Sequence, residues 1–153
     1  VVDVARRHVM GLDATLDKPL TKRPLINPNS YSATIGEVKS RAWASRDGTK
    51  SGIAFDVPLE VQLDPTEADR IGQPTVLISD SVMLDLTTDG GIDDGPGKNR
   101  KLRAYREATG LNGAGEKFSA RMLQGRQVKV AVKHHAADDG EVYERIGAVA
   151  KAA

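Results

Sequence analysis

Between Ile53 and Leu63 every second residue is apolar: Ile53, Phe55, Val57, Leu59, Val61 and Leu63 alternate with Ala54, Asp56, Pro58, Glu60 and Gln62. Successive side chains of an extended chain point to opposite faces, whereas a helix brings together residues three and four apart. The spacing therefore predicts a strand with one buried face. Pro58 sharpens the constraint. It has no N–H to give to a ladder, so the strand must be an edge, bulged or bent at that point.

Further segments read as strands on the same ground. Thr34 to Ala44, TIGEVKSRAWA, sets Val38, Ala42 and Ala44 against Glu37, Lys39, Arg41 and Trp43, which puts a tryptophan on a polar face. Thr75 to Leu86, TVLISDSVMLDL, is apolar along most of its length. RQVKVAVKHH, ending at His135, alternates Val128, Val130 and Val132 with Gln127, Lys129, Ala131 and Lys133. EVYERIGAVAKA, from Glu141, opposes a face holding Val142, Ile146 and Ala148 to one holding Tyr143 and Arg145. Asp47-Gly48 and Asp138-Asp139-Gly140 mark hairpins, because these residues tolerate the backbone twist that tight turns need. The stretches around Asp64-Pro65 and Gly72-Gln73-Pro74 read as turns.

One segment reads convincingly as a helix, Gly97 to Gly110, GKNRKLRAYREATG. Leu102 and Tyr105 share a side, Lys98, Arg100, Lys101, Arg103 and Arg106 surround the rest, and Gly110 supplies a stop. A short turn or helix between Gly115 and Gly125 is expected to turn Phe118, Met122 and Leu123 inward. The first 33 residues hold no sustained period, and Pro19, Pro24 and Pro28 mark an extended arm, with one short helix over residues 4–12. The order strand, strand, strand, helix, strand, strand is that of an OB-fold. The chain is thus expected to be mainly β: a five-stranded OB-fold barrel over residues 34–153, one helix between strands three and four, and an N-terminal arm over residues 1–33. The long strands of such barrels bend, which accommodates Pro58, and Leu102 and Tyr105 become anchors of a helix that plugs the barrel.

Composition narrows the chemistry. Aromatics make up 4% of the 153 residues, so the core must be built from Val, Ile, Leu and Ala. Without cysteine there is neither a disulfide framework nor a thiolate metal site, which fits a reducing compartment. No apolar run reaches the length of a bilayer span and no secretory leader is read, so a cytoplasmic protein without a membrane partner is expected. No G-x-S-x-G elbow, H-E-x-x-H pair or phosphate loop occurs, and the expectation is a non-enzyme. Asp89, Asp93 and Asp94 lack the spacing of a calcium loop. Neither a metal nor a cofactor is expected.

Charge is uneven. Residues 53–96 hold ten acidic side chains and one basic, while residues 97–133 hold ten basic and two acidic. Such a basic region attracts phosphate whatever the net charge, although a solvated helix face beside an acidic loop has the same signature. The outward positions of the strands suggest a more specific surface, in which Lys39, Arg41 and Trp43 share the outside with Lys129, Lys133, Tyr143 and Arg145. Cations follow phosphates and rings stack on bases without demanding a sequence, which is what single-stranded nucleic acid requires. Arg46 and Lys50 flank the first hairpin turn, and such a loop borders the ligand groove in OB-folds. Trp43 has a competing reading as a ring packed under the N-terminal arm. His134 and His135, pointing oppositely at a strand end, read as exposed loop residues.

Taken together, GEVKSR, GKNRKLRAYREATGL, LQGRQVKVAVKHH and EVYERIGAVAKA, spanning about residues 34–150, resemble bacteriophage-encoded OB-fold single-stranded DNA-binding proteins. The resemblance implies a protein that coats and protects single-stranded DNA in replication or recombination, without a cofactor, in the cytoplasm of the host cell. It implies replication or recombination proteins as further partners. The chain ends AVAKAA, without the Gly/Pro-rich acidic tip through which the better-known bacterial proteins recruit partners. The rival reading is an OB-like protein-interaction or virion structural module, since a fold does not fix a function.

Overall fold

The structure is a computed structural model and describes residues 11–153. The described residues form strands β1 (Asn29–Ile35), β2 (Lys39–Ala44), β3 (Ser51–Gln62), β4 (Thr75–Met83), β5 (Gln127–Ala136) and β6 (Val142–Lys151). Helix α1 (Pro65–Ile71) lies between β3 and β4, and α2 (Arg100–Ala108) between β4 and β5. Short 3₁₀ turns occupy Gly11–Asp13 and Ala120–Leu123. Every strand pairing is antiparallel, and the sheet runs β4-β3-β1-β5-β6 with β2 on the same side of β3 as β1. The sheet curls into a half-barrel. Its concave face is lined by Val57, Leu59 and Val61 of β3, Val76, Ile78 and Val82 of β4, and Val128, Val130 and Val132 of β5, all buried. Each such side chain removed from water contributes about 1.5–3 kcal/mol.

The first expected strand is interrupted opposite Pro58. Thr34 to Ala44 is two strands, because Gly36, Glu37 and Val38 break the ladder. β1 pairs with Leu59 to Val61 and β2 with Ser51 to Asp56, so Val57 and Pro58 lie opposite the break. The Pro58 carbonyl accepts from the Gly36 N–H at 2.8 Å, and the proline nitrogen, on that same side, faces no ladder partner. A Cβ on Gly36 would lie 3.1 Å from Pro58 Cγ, so the glycine permits the close approach. The expected arm also ends earlier than residue 33. β1 begins at Asn29 and so spans the boundary drawn at residue 33, with Tyr31 and Ala33 in the core. Pairing with β5 from Asn29 to Thr34 overrides the turn-like sequence NSYS. The helix expected over residues 4–12 lies almost wholly outside the described residues.

Among the described residues no ladder joins β4 to β6, the two ends of the sheet, although they lie side by side. α2 packs on both. Leu102 and Tyr105 are buried as expected of anchors, and the Tyr105 hydroxyl donates to Asp80 at 2.6 Å. Asp80 belongs to β4 and is itself buried; its other carboxylate oxygen takes Lys101 Nζ at 2.6 Å. Burial first, then the Asp80 charge, pushes the Tyr105 phenol well above its usual range. Met122 departs from expectation, being exposed while Leu123 fills the core.

Two more carboxylates hold the chain ahead of β1. Glu144 of β6 grips Arg23 at 2.6 and 2.9 Å and the Ile26 N–H at 2.6 Å, and Ile26 is fully buried. Glu67 of α1 accepts from the Asn27 N–H at 2.7 Å and from Arg70 at 2.5 Å. Tyr31 donates to the Asn27 carbonyl, and its phenol is pushed up to about 12 by burial and by the charge of Glu67. α1 was read as a turn, yet it carries helix signals: Asp64 caps the Glu67 N–H, Pro65 opens the helix, and Gly72 closes it at φ 89°.

Two outcomes follow. Tyr105→Phe leaves one Asp80 oxygen without its donor and lowers stability by about 1–3 kcal/mol in urea unfolding. Burial opposes ionisation of Glu144, but the Arg23 and Ile26 contacts outweigh it, so its carboxyl titrates below the usual range. Its contribution is therefore complete above the ordinary glutamate value of about 4.3 and is lost as pH falls through the lowered value. Glu144→Gln should remove this acid-side loss from a plot of thermal midpoint against pH; an unchanged plot would show that Glu144 does not clamp the chain ahead of β1.

Candidate nucleic-acid interface

The outward face of the β2–β3 hairpin carries Lys39, Arg41 and Trp43, in register with Asp56, Ala54 and Gly52. Ala42 and Ala44, expected inside, are exposed, because β2 extends beyond the core. Arg41 is not a free cation. Its Nε lies 3.0 and 2.9 Å from the Asp56 oxygens, and Nη2 donates to Ser81 Oγ at 2.8 Å, which ties β2, β3 and β4 together. Trp43 is half-buried, and its indole lies across Gly52. A Cβ there would stand 2.9 Å from Nε1 and 3.1 Å from Cε2. The buried indole N–H has no hydrogen-bond partner among the described residues. The ring is thus packed against Gly52 of β3.

Beyond Ala44 the chain turns through residues 45–50, with Gly48 at φ 71°. Arg46 and Lys50 are exposed there. The Asp47 carboxylate accepts from the hydroxyls of Ser45 and Thr49 and from the Thr49 N–H, and these bonds lower it to about 2. The turn therefore keeps one fixed anion between two cations.

A cleft of about 580 Å³ opens where β4 faces the β5–β6 hairpin. Ser79 and Ser81 line it from β4, Lys101 from α2, Lys133 and His135 from β5, and Tyr143 and Arg145 from β6. Its two carboxylates are engaged, Asp80 by Lys101 and Glu144 by Arg23. Lys133 and Arg145 have no carboxylate within ion-pair distance among the described residues. Tyr143 is 45% exposed, with its hydroxyl 3.4 Å from Asp139 and Lys22 Nζ 5.9 Å from its ring centroid. Ser81 joins the two groups, since it lines the cleft and also takes Arg41.

The structure therefore unites Lys133, Tyr143 and Arg145, reaches Arg41 and its neighbours Lys39 and Trp43 through Ser81, and leaves Lys129 aside. Lys129 is exposed, in register with Ser32 and Ala150, and does not line the cleft. His134 and His135 are strand residues rather than loop residues, because β5 continues to Ala136. His134 Nε2 lies 2.7 Å from the Ile26 carbonyl, while His135 turns to the cleft. Ala148 is exposed although read as inward, because β6 bulges at Gly147 and the register steps from Ala131↔Ala148 to Val132↔Ile146, whereas Val142 keeps the side of Ile146 but is exposed at the hairpin tip, beyond the core. Lys101, one of the helix cations that form a secondary candidate for phosphate contact, joins the cleft because it stands four residues before Tyr105 and so on the same helix side. A hollow of about 270 Å³ beside the start of α2 mixes Asp93 and Asp94 with Lys98 and Arg103, and offers no single sign of charge.

The chain matches no protein-family model, and no curated protein matches its sequence.

Because Trp43 is the sole tryptophan, its fluorescence reports the β2–β3 face directly. Gly52→Ala should lift the indole off β3, seen as a red-shifted emission and faster acrylamide quenching with unchanged far-ultraviolet circular dichroism. An unshifted spectrum would show that the ring does not rest on that glycine.

Proposed function

We propose that the protein is an OB-like, sequence-tolerant single-stranded DNA-binding protein that coats and protects DNA in phage replication or recombination. The carrying observation is the cleft, in which Lys133 and Arg145 stand free of carboxylates beside Tyr143 and His135, joined through Ser81 to the face of Arg41 and Trp43. Counting β1 and β2 as one strand interrupted at Gly36 gives five strands with α2 before the last two, an order that supports an OB-like reading, with α1 as an added helix between β3 and β4. In that fold the face of the second and third strands and the two flanking hairpin loops take oligonucleotides. Here these are β3, β4 and the turns at residues 45–50 and 137–141. Cations bound to phosphates supply affinity without reading sequence, and a ring stacked on a base adds about 1–3 kcal/mol.

A second reading draws on Leu77 and Met83, which are 69% and 46% exposed on the outer face of β4. Apolar side chains there suit a protein-interaction or virion structural module.

A titration of oligo-dT followed by Trp43 fluorescence separates the two. We expect binding that weakens from about 50 to about 200 mM salt, and a log–log salt slope reduced by about 1.4 in Lys133→Glu/Arg145→Glu, the loss of two phosphate contacts on a single strand. Absence of oligo-dT binding at the lower salt, by fluorescence and by anisotropy of a labelled strand, would reject the DNA reading and leave the interaction module.

A further inference from the structure

We infer that a bound single strand continues past the cleft along the β4–β6 seam onto the outer side of α2, where Arg100 and Arg103 take further phosphates; this extends the DNA-binding reading above and rests on it. A second hollow, about 440 Å³, lies between α2 and β6 and shares Asp80, Lys101 and Ile146 with the cleft, so the two form one groove. Its base is low because Gly147, Ala148 and Ala104 carry little or no side chain. Gly147 is the bulged residue, and a Cβ on it would lie 3.3 Å from Lys133 Cδ. The Lys133 stem therefore lies over the bulge, and the side chain that lines the cleft touches the residue that floors the second hollow.

The charge of this extension is positive. Arg100 is exposed and has no carboxylate within ion-pair distance among the described residues. Arg103 faces Glu107 at 3.6 Å, with both side chains more than half exposed, and a solvated pair of that kind is worth little and gives way to a phosphate. The remaining carboxylate, Asp80, is already held by Lys101 and Tyr105. A polyanion passing Lys133 and Arg145 thus meets cations rather than repulsion on continuing over α2. A floor of small side chains leaves room for sugar and phosphate, without a ring on which to stack a base.

The inference predicts a dependence on strand length. Labelled oligo-dT of about 6 and about 16 nucleotides, within the range of site sizes for one such barrel, would be titrated with wild type and Arg100→Glu/Arg103→Glu. Arg100→Ala/Arg103→Ala tests the same contacts with a better helix former, and Lys117→Glu, which lines neither hollow, controls for net charge. Thermal midpoints check folding. We expect the short strand to bind the double variants within about twofold of wild type and the long strand about tenfold more weakly, with a shallower salt slope for the long strand alone. Unchanged affinity at both lengths would overturn the extension, as would an equal loss at both, which would put α2 in the primary site. If wild type binds neither length, the DNA-binding reading itself fails; binding of both lengths by wild type with no length-dependent loss defeats only the extension.

Discussion

Asp80 is the point on which the rest of the architecture turns. The sheet curls but does not close by hydrogen bonds, and β4 and β6 are left as neighbouring edges. A buried carboxylate in that gap would oppose folding if left alone, because taking an ion from water costs several kcal/mol. Tyr105 and Lys101, one helical turn apart, reach it together and satisfy it. The same contacts fasten α2 over the gap. A polar group thus supplies the closure that a strand ladder supplies elsewhere, and it fixes Lys101 at the edge of the cleft.

Glu144 and Glu67 act on the same principle on the segment ahead of β1. In the described segment before β1, Leu12, Leu16 and Leu20 stay exposed and Ile26 alone is fully buried, so packing alone would hold it weakly. Charge-assisted bonds from Arg23 and from the Ile26 and Asn27 amides make up the difference. Their effect reaches the candidate interface. With Glu144 occupied by Arg23 and Asp80 by Lys101, the cleft presents its unpaired cations without a competing free carboxylate, although the chain as a whole is close to neutral.

The sequence shows where side-chain parity is undisturbed. Val57, Leu59 and Val61 are buried as their alternation requires, and Leu102 with Tyr105 forms the inner side of the expected helix. Both hairpin turns lie at Gly48 and Gly140, each with positive φ. What escaped depends on partners distant in sequence. Ile35 and Val38 both pack inward although three residues apart, which becomes intelligible only once Pro58 is seen opposite the break. Arg41 looks like an available cation until Asp56 and Ser81 are found on it. α1 was legible in its caps, Asp64, Pro65 and Gly72, but seven residues are too few to show a helical period.

Gly147 divides β6 into two reading frames. On its C-terminal side Val149 packs against the core, and on its N-terminal side Ile146 does, three positions away rather than two or four. The outer segment, with Tyr143 and Arg145, therefore keeps its own alternation, insulated from that of the core segment. A residue gained or lost between Val142 and Arg145 would exchange the wet and dry sides of the hairpin tip while leaving the pairing beyond the bulge in place. Substitutions at the tip keep its two sides intact, whereas changes of length do not. The bulge thus lets the tip hold a side-chain parity of its own without disturbing that of the core segment.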